Sequence, residues 1–142
     1  MKVVDANLLL YAVNEDAPQH AKAKTWLEET LSRAEPVGFV WTVLLAFLRL
    51  STRSTVFPKP LGLEEAFALV ESWLAQPCAE VLEPGDDHLA LLLTLLRPLG
   101  TGGNLTSDAH LAAIAVEHGA ELCSCDGDFR RFPGLRWSNP LS

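Results

Sequence analysis

Four aspartates stand where carboxylate chemistry could be done. Asp5 follows Val3 and Val4 and precedes Leu8, Leu9 and Leu10, so it interrupts a segment that heads into a core. A carboxylate in such a place is costly unless it has hydrogen-bond partners or a metal. Asp108 lies in the stretch NLTSDAH, in the first turn of an expected helix, while Asp126 and Asp128 belong to CDGDF at the end of an expected strand. Three separate segments thus deliver acids that can meet at one edge of a sheet. Carboxylate oxygens, unlike thiolates or imidazoles, select hard cations such as Mg²⁺ or Mn²⁺, which keep several waters. Ions held this way orient water for in-line attack on a phosphodiester and stabilise the departing oxygen, with no covalent nucleophile.

Plainer roles exist for each acid. Asp108 could complement the positive end of its helix, and Asp126 or Asp128 could shape the turn around Gly127. Asp5 is harder to explain in that way, since a turn or cap does not ordinarily need a carboxylate straight after two valines. Asn7 offers a local hydrogen-bonding neighbour, but an amide does not balance a charge. No competing assembly is as coherent: the chain has no Walker loop, HExxH or GxSxG.

The elements that must position these acids can be read from residue pattern. Residues 2–5 (KVVD) suit a short buried strand of a parallel sheet, with a short helix beginning around Leu8. Residues 17–33 form an amphipathic helix with Ala21, Trp26, Leu27 and Leu31 on its apolar side. A strand is expected at 36–40, a helix at 41–52 capped by Thr42, a proline-rich connection at 57–61 and a helix at 63–74. A strand at 79–82 and a helix at 86–96 come next, then the turn GTGGN, a helix from about 106 to Gly119 and a strand at 120–125. The tail to Trp137 holds turns and a last short strand. Strands separated by helices predict an α/β fold, with a mainly parallel sheet of four to five strands and helices on both faces. In such sheets ligands gather beyond the carboxyl ends of the strands, the position of Asp5 and Asp126.

The 142 residues suffice for one domain spanning 1–142. The net charge of −7 argues against a protein that coats nucleic acid by general attraction, while fitting an acid cluster that a cation neutralises. Three cysteines cannot all pair within the chain, no basic-then-apolar leader precedes Asp5, and no apolar run reaches the length of a membrane span. A cytoplasmic protein is expected, with no membrane association.

The motifs DANLLLYA, WTVLLAFLRLST, GNLTSDAHLAAIAVEHGAEL and CDGDFRRFPGL, in this order and at comparable spacing, resemble PIN-domain ribonucleases of the VapC toxin type over essentially the whole chain. The resemblance implies a PIN-like three-layer α/β/α sandwich and an RNA endonuclease dependent on Mg²⁺ or Mn²⁺. It also implies a homodimer restrained by a small cognate antitoxin. It places Asp5, Asp108 and Asp126 at the metal as catalytic residues, with help from Asp128.

One position departs from that pattern. A fourth family acid, normally Glu, is matched here by Ala46, and no acid occurs between Glu35 and Glu64. A site working with aspartates alone, a weakened nuclease that acts mainly by binding RNA or antitoxin, and an engineered Glu→Ala change all remain open. Ala46, Arg49 and Arg53 fall at i, i+3 and i+7 on one helical face. The arginines suit RNA phosphates, with Asn7 in support; a solvated basic edge is the plainer reading, above all for Arg53. Arg130 and Arg131 could touch RNA or an acidic antitoxin segment.

A haloacid-dehalogenase-like phosphatase also begins with an apolar strand ending in Asp, but it needs a second Asp two residues on, where this chain has Asn7. The glycines of GTGGN are read as a turn, the cysteines as buried residues, and Trp26, Trp41, Trp73 and Trp137 as core or interface anchors. The four histidines, His20, His88, His110 and His118, are read as dispersed and without a catalytic role. The leucine-rich helices at 63–74 and 86–96 offer an apolar patch for dimerisation or for an antitoxin helix.

Overall fold

A computed structural model describes all 142 residues. Five strands, β1 (Lys2–Val4), β2 (Val37–Val40), β3 (Ala79–Leu82), β4 (Glu121–Cys123) and β5 (Arg136–Ser138), form one sheet in the order β3-β2-β1-β4-β5. Every neighbouring pair is parallel. Six helices connect them: α1 (Ala6–Val13), α2 (His20–Leu31), α3 (Trp41–Ser51), α4 (Leu63–Leu74), α5 (His88–Leu96) and α6 (Thr106–Glu117). The chain moves outward from β1 through β2 to β3, then crosses back to β4 and β5. Right-handed crossovers in opposite directions put α1 to α4 on one face and α5 with α6 on the other. The packing follows this division, with α1 against α2 and α3, α3 against α4, and α5 against α6.

β1 sits at the centre because both its sides are paired and its residues Val3 and Val4 are fully buried. All four residues of β2 are buried as well, as expected for a strand covered on both faces. Gly38 is needed there: a Cβ at that position would stand 2.4 Å from Leu82 Cδ1 and 3.3 Å from Val3 Cγ2. On one face Phe47 meets Trp73 edge-on, with centroids 4.8 Å apart at 69°, a favoured aromatic geometry. On the other, Ala109, Ala112, Ala113 and Ala115 of α6 are buried with Leu111 and Ile114, so small side chains let this helix lie close between the sheet and α5.

Several boundaries differ from the sequence expectation for identifiable reasons. The strand expected at 120–125 stops at Cys123, because the Cys125 N–H donates to Asn7 Oδ1 and the Asp126 N–H to Ser124 Oγ. The helix expected from Ala17 begins at His20, since the Ala17 and His20 amides close turns onto Asn14 and Ala17 carbonyls instead. Thr42 is not a cap: α3 starts at Trp41 directly from β2, with Val40 in the cap position and no side-chain cap bond. α5 begins at His88 rather than Asp86. No helix is long and apolar enough to cross a membrane.

Candidate metal centre

Asp5 leaves β1 and becomes the N-cap of α1, its Oδ1 accepting the Ala6 N–H at 2.8 Å. A cap role thus does account for part of its placement, contrary to the sequence reading. Its other oxygen, Oδ2, accepts the Ser124 hydroxyl at 2.7 Å. Ser124 is fully buried, and its Oγ also accepts the Asn7 side-chain amide at 3.1 Å and the Asp126 N–H at 3.0 Å. One hydroxyl therefore ties the end of β1, the start of α1 and the segment after β4 into one unit. Asn7 serves Asp5 through this hydroxyl and by accepting the Cys125 N–H at 3.3 Å. Asp126 Oδ1 in turn accepts the Asp128 N–H at 2.9 Å and begins the 3₁₀ turn Gly127–Arg131.

The third acid-bearing segment enters with α6. Asp108 lies in its first turn, and its carboxyl is pushed up to about 6 from an ordinary 3.8, by burial first and then by the negative charges of Asp126, Asp5 and Asp128. Burial likewise raises Asp5, opposed by the bonds from Ser124 and Ala6 and reinforced by the charge of Asp126. Both effects have the sign expected when carboxylates share a site without a counter-charge. The fold thus puts Asp108 within electrostatic range of Asp5, Asp126 and Asp128, and Asp5 within range of Asp126. They do not form a closed cage, since no three acidic, imidazole or thiol side chains are already spaced to hold a metal. Asp5 has both oxygens engaged and Asp126 has one, yet each carboxylate oxygen keeps a second lone pair for a cation. Hard oxygen donors with unrelieved mutual repulsion fit a divalent ion of the Mg²⁺ or Mn²⁺ kind.

Of the remaining sequence candidates, Ala46 is half-buried on α3, and no acid takes its place. Arg49 and Arg53 are exposed and form no ion pair, while Arg49 in the last turn of α3 complements that helix end. Arg130 braces its own turn, with its Cζ 5.5 Å from the Trp137 ring centroid and its Nε donating to the Gly127 carbonyl at 3.3 Å. Arg131 is exposed. Trp73 is core as expected, whereas Trp41 is 49% exposed. The residue that sequence reasoning missed is Ser124; its only signal was a hydroxyl set between Cys123 and Cys125 in an otherwise apolar strand end. The histidines are not all dispersed, for His88 Nε2 lies 2.9 Å from His110 Nδ1.

A family model for the PIN domain matches residues 2–135. The chain is a PIN-domain protein. Among characterised relatives, this PIN domain is similar to ribonuclease VapC37 of Mycobacterium tuberculosis, with 51% identity covering 99% of this chain and 97% of the relative. Ribonuclease VapC33 of the same organism is 43% identical over 99% of both chains. Its fold is similar to that in the crystal structure of VapBC2 from Rickettsia felis bound to a promoter DNA fragment, with a TM-score of 0.71, 18% identity and 97% of each chain covered. The PIN-domain protein therefore belongs with the VapC ribonucleases. Nothing supports the phosphatase reading: the position that would hold its second acid is Asn7, whose amide is committed to Ser124 and Cys125.

Proposed function

We propose that this PIN-domain protein is a metal-dependent endoribonuclease, the toxin of a toxin–antitoxin pair, with Asp5, Asp108 and Asp126 as its catalytic metal-binding residues and Asp128 beside them. The observation that carries this reading is the Ser124 hydroxyl, which donates to Asp5 Oδ2 and accepts the Asp126 N–H and so holds two acid-bearing segments together, with the carboxyl of Asp108 raised by the charges of Asp126, Asp5 and Asp128 beside it. Mg²⁺ is the expected ion, with Mn²⁺ as a substitute. A divalent ion held there supplies neutralisation of the phosphate charge and activation of a water. The chain's own residues do the rest. Ser124 fixes the Asp5 carboxylate and the Asp126 backbone, Asn7 locks Ser124, and the turn of Asp126 sets Asp128. Asp108 would bring the third carboxylate from the first turn of α6. Arg49 and Arg53, free of acidic partners, are suited to RNA phosphates.

The partners under this reading are RNA, a cognate antitoxin and a second copy of the chain, in the cytoplasm. Ala46 favours a second reading, a weakened nuclease that mainly binds RNA or antitoxin. The test is cleavage of end-labelled RNA with Mg²⁺ or Mn²⁺ by the native chain, Asp126→Asn and Ala46→Glu. Cleavage by the native chain that Asp126→Asn abolishes supports the first reading. Cleavage by Ala46→Glu alone supports the second, and cleavage that survives Asp126→Asn refutes both.

A further inference from the structure

On the far face of the sheet, three side chains form a polar cluster between α5 and α6 that the nuclease reading does not use. Glu117 accepts the Gly85 N–H through Oε2, while its Oε1 lies 2.5 Å from His88 Nδ1. The other ring nitrogen of His88, Nε2, lies 2.9 Å from His110 Nδ1, with the rings edge to face and centroids 4.8 Å apart. Glu117 and His88 have side chains only 13% exposed. A carboxylate accepts, so His88 carries hydrogen on Nδ1, and its neutral ring presents a lone pair at Nε2. His110 fills that lone pair with the hydrogen of its own Nδ1. Two imidazole nitrogens therefore face each other across one shared hydrogen, one of them already oriented by a carboxylate behind its ring. That arrangement, metal-facing nitrogen in front and carboxylate behind, is how proteins prepare histidine ligands for transition metals.

We propose that His88 Nε2 and His110 Nδ1 bind one borderline transition-metal ion, Zn²⁺ being the probe of choice, with Glu117 as the positioning residue that holds His88. The ion replaces the hydrogen shared between the rings, and His110 carries its hydrogen on Nε2 instead. With metal–nitrogen bonds of about 2.0–2.1 Å in tetrahedral geometry the two nitrogens stand roughly 3.3 Å apart, so the nitrogens must separate by a few tenths of an ångström from 2.9 Å and both rings must tilt until their lone pairs meet at the ion. Water completes the coordination. A cavity of about 380 Å³, lined by His110 with Trp41, Thr42, Glu83 and Ile114, lies on the His110 side of the pair. The exposed Asp86 and Asp87, just ahead of His88, add a favourable field. The chemistry differs from that of the aspartate pocket, because imidazole prefers Zn²⁺, Ni²⁺ or Cu²⁺ whereas carboxylates prefer Mg²⁺ or Mn²⁺. Such an ion clamps α5 to α6, the helix whose first turn holds Asp108.

The experiment is calorimetric titration of ZnCl₂ into chelator-stripped protein in which Asp5, Asp108, Asp126 and Asp128 are all replaced by Asn, so that the aspartate pocket contributes no carboxylate. One equivalent of Zn²⁺ is expected to bind. His88→Gln and His110→Gln should each weaken binding at least tenfold, and Glu117→Gln by about 10–100-fold, with Mg²⁺ unable to compete. Histidine modification by diethyl pyrocarbonate, read by mass spectrometry on the native chain, covers the case in which a variant does not fold. There Zn²⁺ should protect His88 and His110 and leave His20 unchanged. An isotherm unaltered by either histidine substitution, absence of Zn²⁺ binding, or equal modification with and without Zn²⁺ overturns the proposal.

Discussion

Replacing Asp108 by Asn should make the metal-free protein more stable while destroying its proposed activity. The carboxyl is pushed up to about 6 from 3.8, a displacement of about 2 on the pH scale worth about 3 kcal/mol at most. Asp108 is only half-buried, and solvent screening reduces this to about 1–2 kcal/mol. The sign follows from linkage: a group whose folded-state value is raised leaves stability intact below the unfolded value and removes it as pH rises through the folded one. The native chain therefore loses this stability between about pH 4 and pH 6 and lacks it at pH 7.5. In a chain of this size about 1–2 kcal/mol corresponds to roughly 2–6 °C in Tm. Differential scanning calorimetry in EDTA should show Asp108→Asn melting higher than the native chain at pH 7.5, with the gap closing towards pH 4. Mg²⁺ should raise the native Tm more than that of the variant, since binding to the folded state stabilises by mass action. A variant that melts at or below the native temperature at pH 7.5 in EDTA refutes the idea that four acids crowd one pocket.

Other consequences are open to measurement. Ser124→Ala strips a partner from Asp5 Oδ2, the Asn7 amide and the Asp126 N–H together, and urea melts should show a loss of about 1–3 kcal/mol. Ala46→Glu should raise RNA cleavage by at least tenfold at limiting Mn²⁺, through one more hard oxygen donor; unchanged cleavage would remove that position from the site. Gly38→Ala drives a methyl into Leu82 and should cost about 1–3 kcal/mol in urea unfolding. Phe47→Ala removes the edge-on partner of Trp73, with an expected loss of about 3–5 kcal/mol.

The strands around β1 and the four aspartates were legible because β-branched residues ending in an acid make a local pattern. The same holds for the alanine-rich α6, whose small residues record close packing in their composition. What bound the acids together was not legible. Ser124 meets Asp5 across 119 positions of sequence, and a lone serine carries no periodicity from which to infer such a contact. The cap of α3 failed for a related reason. Thr42 looked like a start signal, but the strand feeds the helix without a break, and tertiary burial of Val43, Leu44 and Phe47 fixes the first turn. His88 and His110 were read as separate because their meeting depends on how α5 lies on α6, which no local spacing encodes.

The central strand Lys2–Val4 pairs with Glu121–Cys123, and the acid that follows it is anchored by Ser124, 119 positions further along. A growing polypeptide thus carries Asp5 without that anchor for as long as the later segment is unmade. Only once Ser124 has emerged can the two segments be stitched together. By topology alone, the carboxylate cluster stays unassembled until residues 124–128 have joined the strand that precedes them by more than a hundred positions.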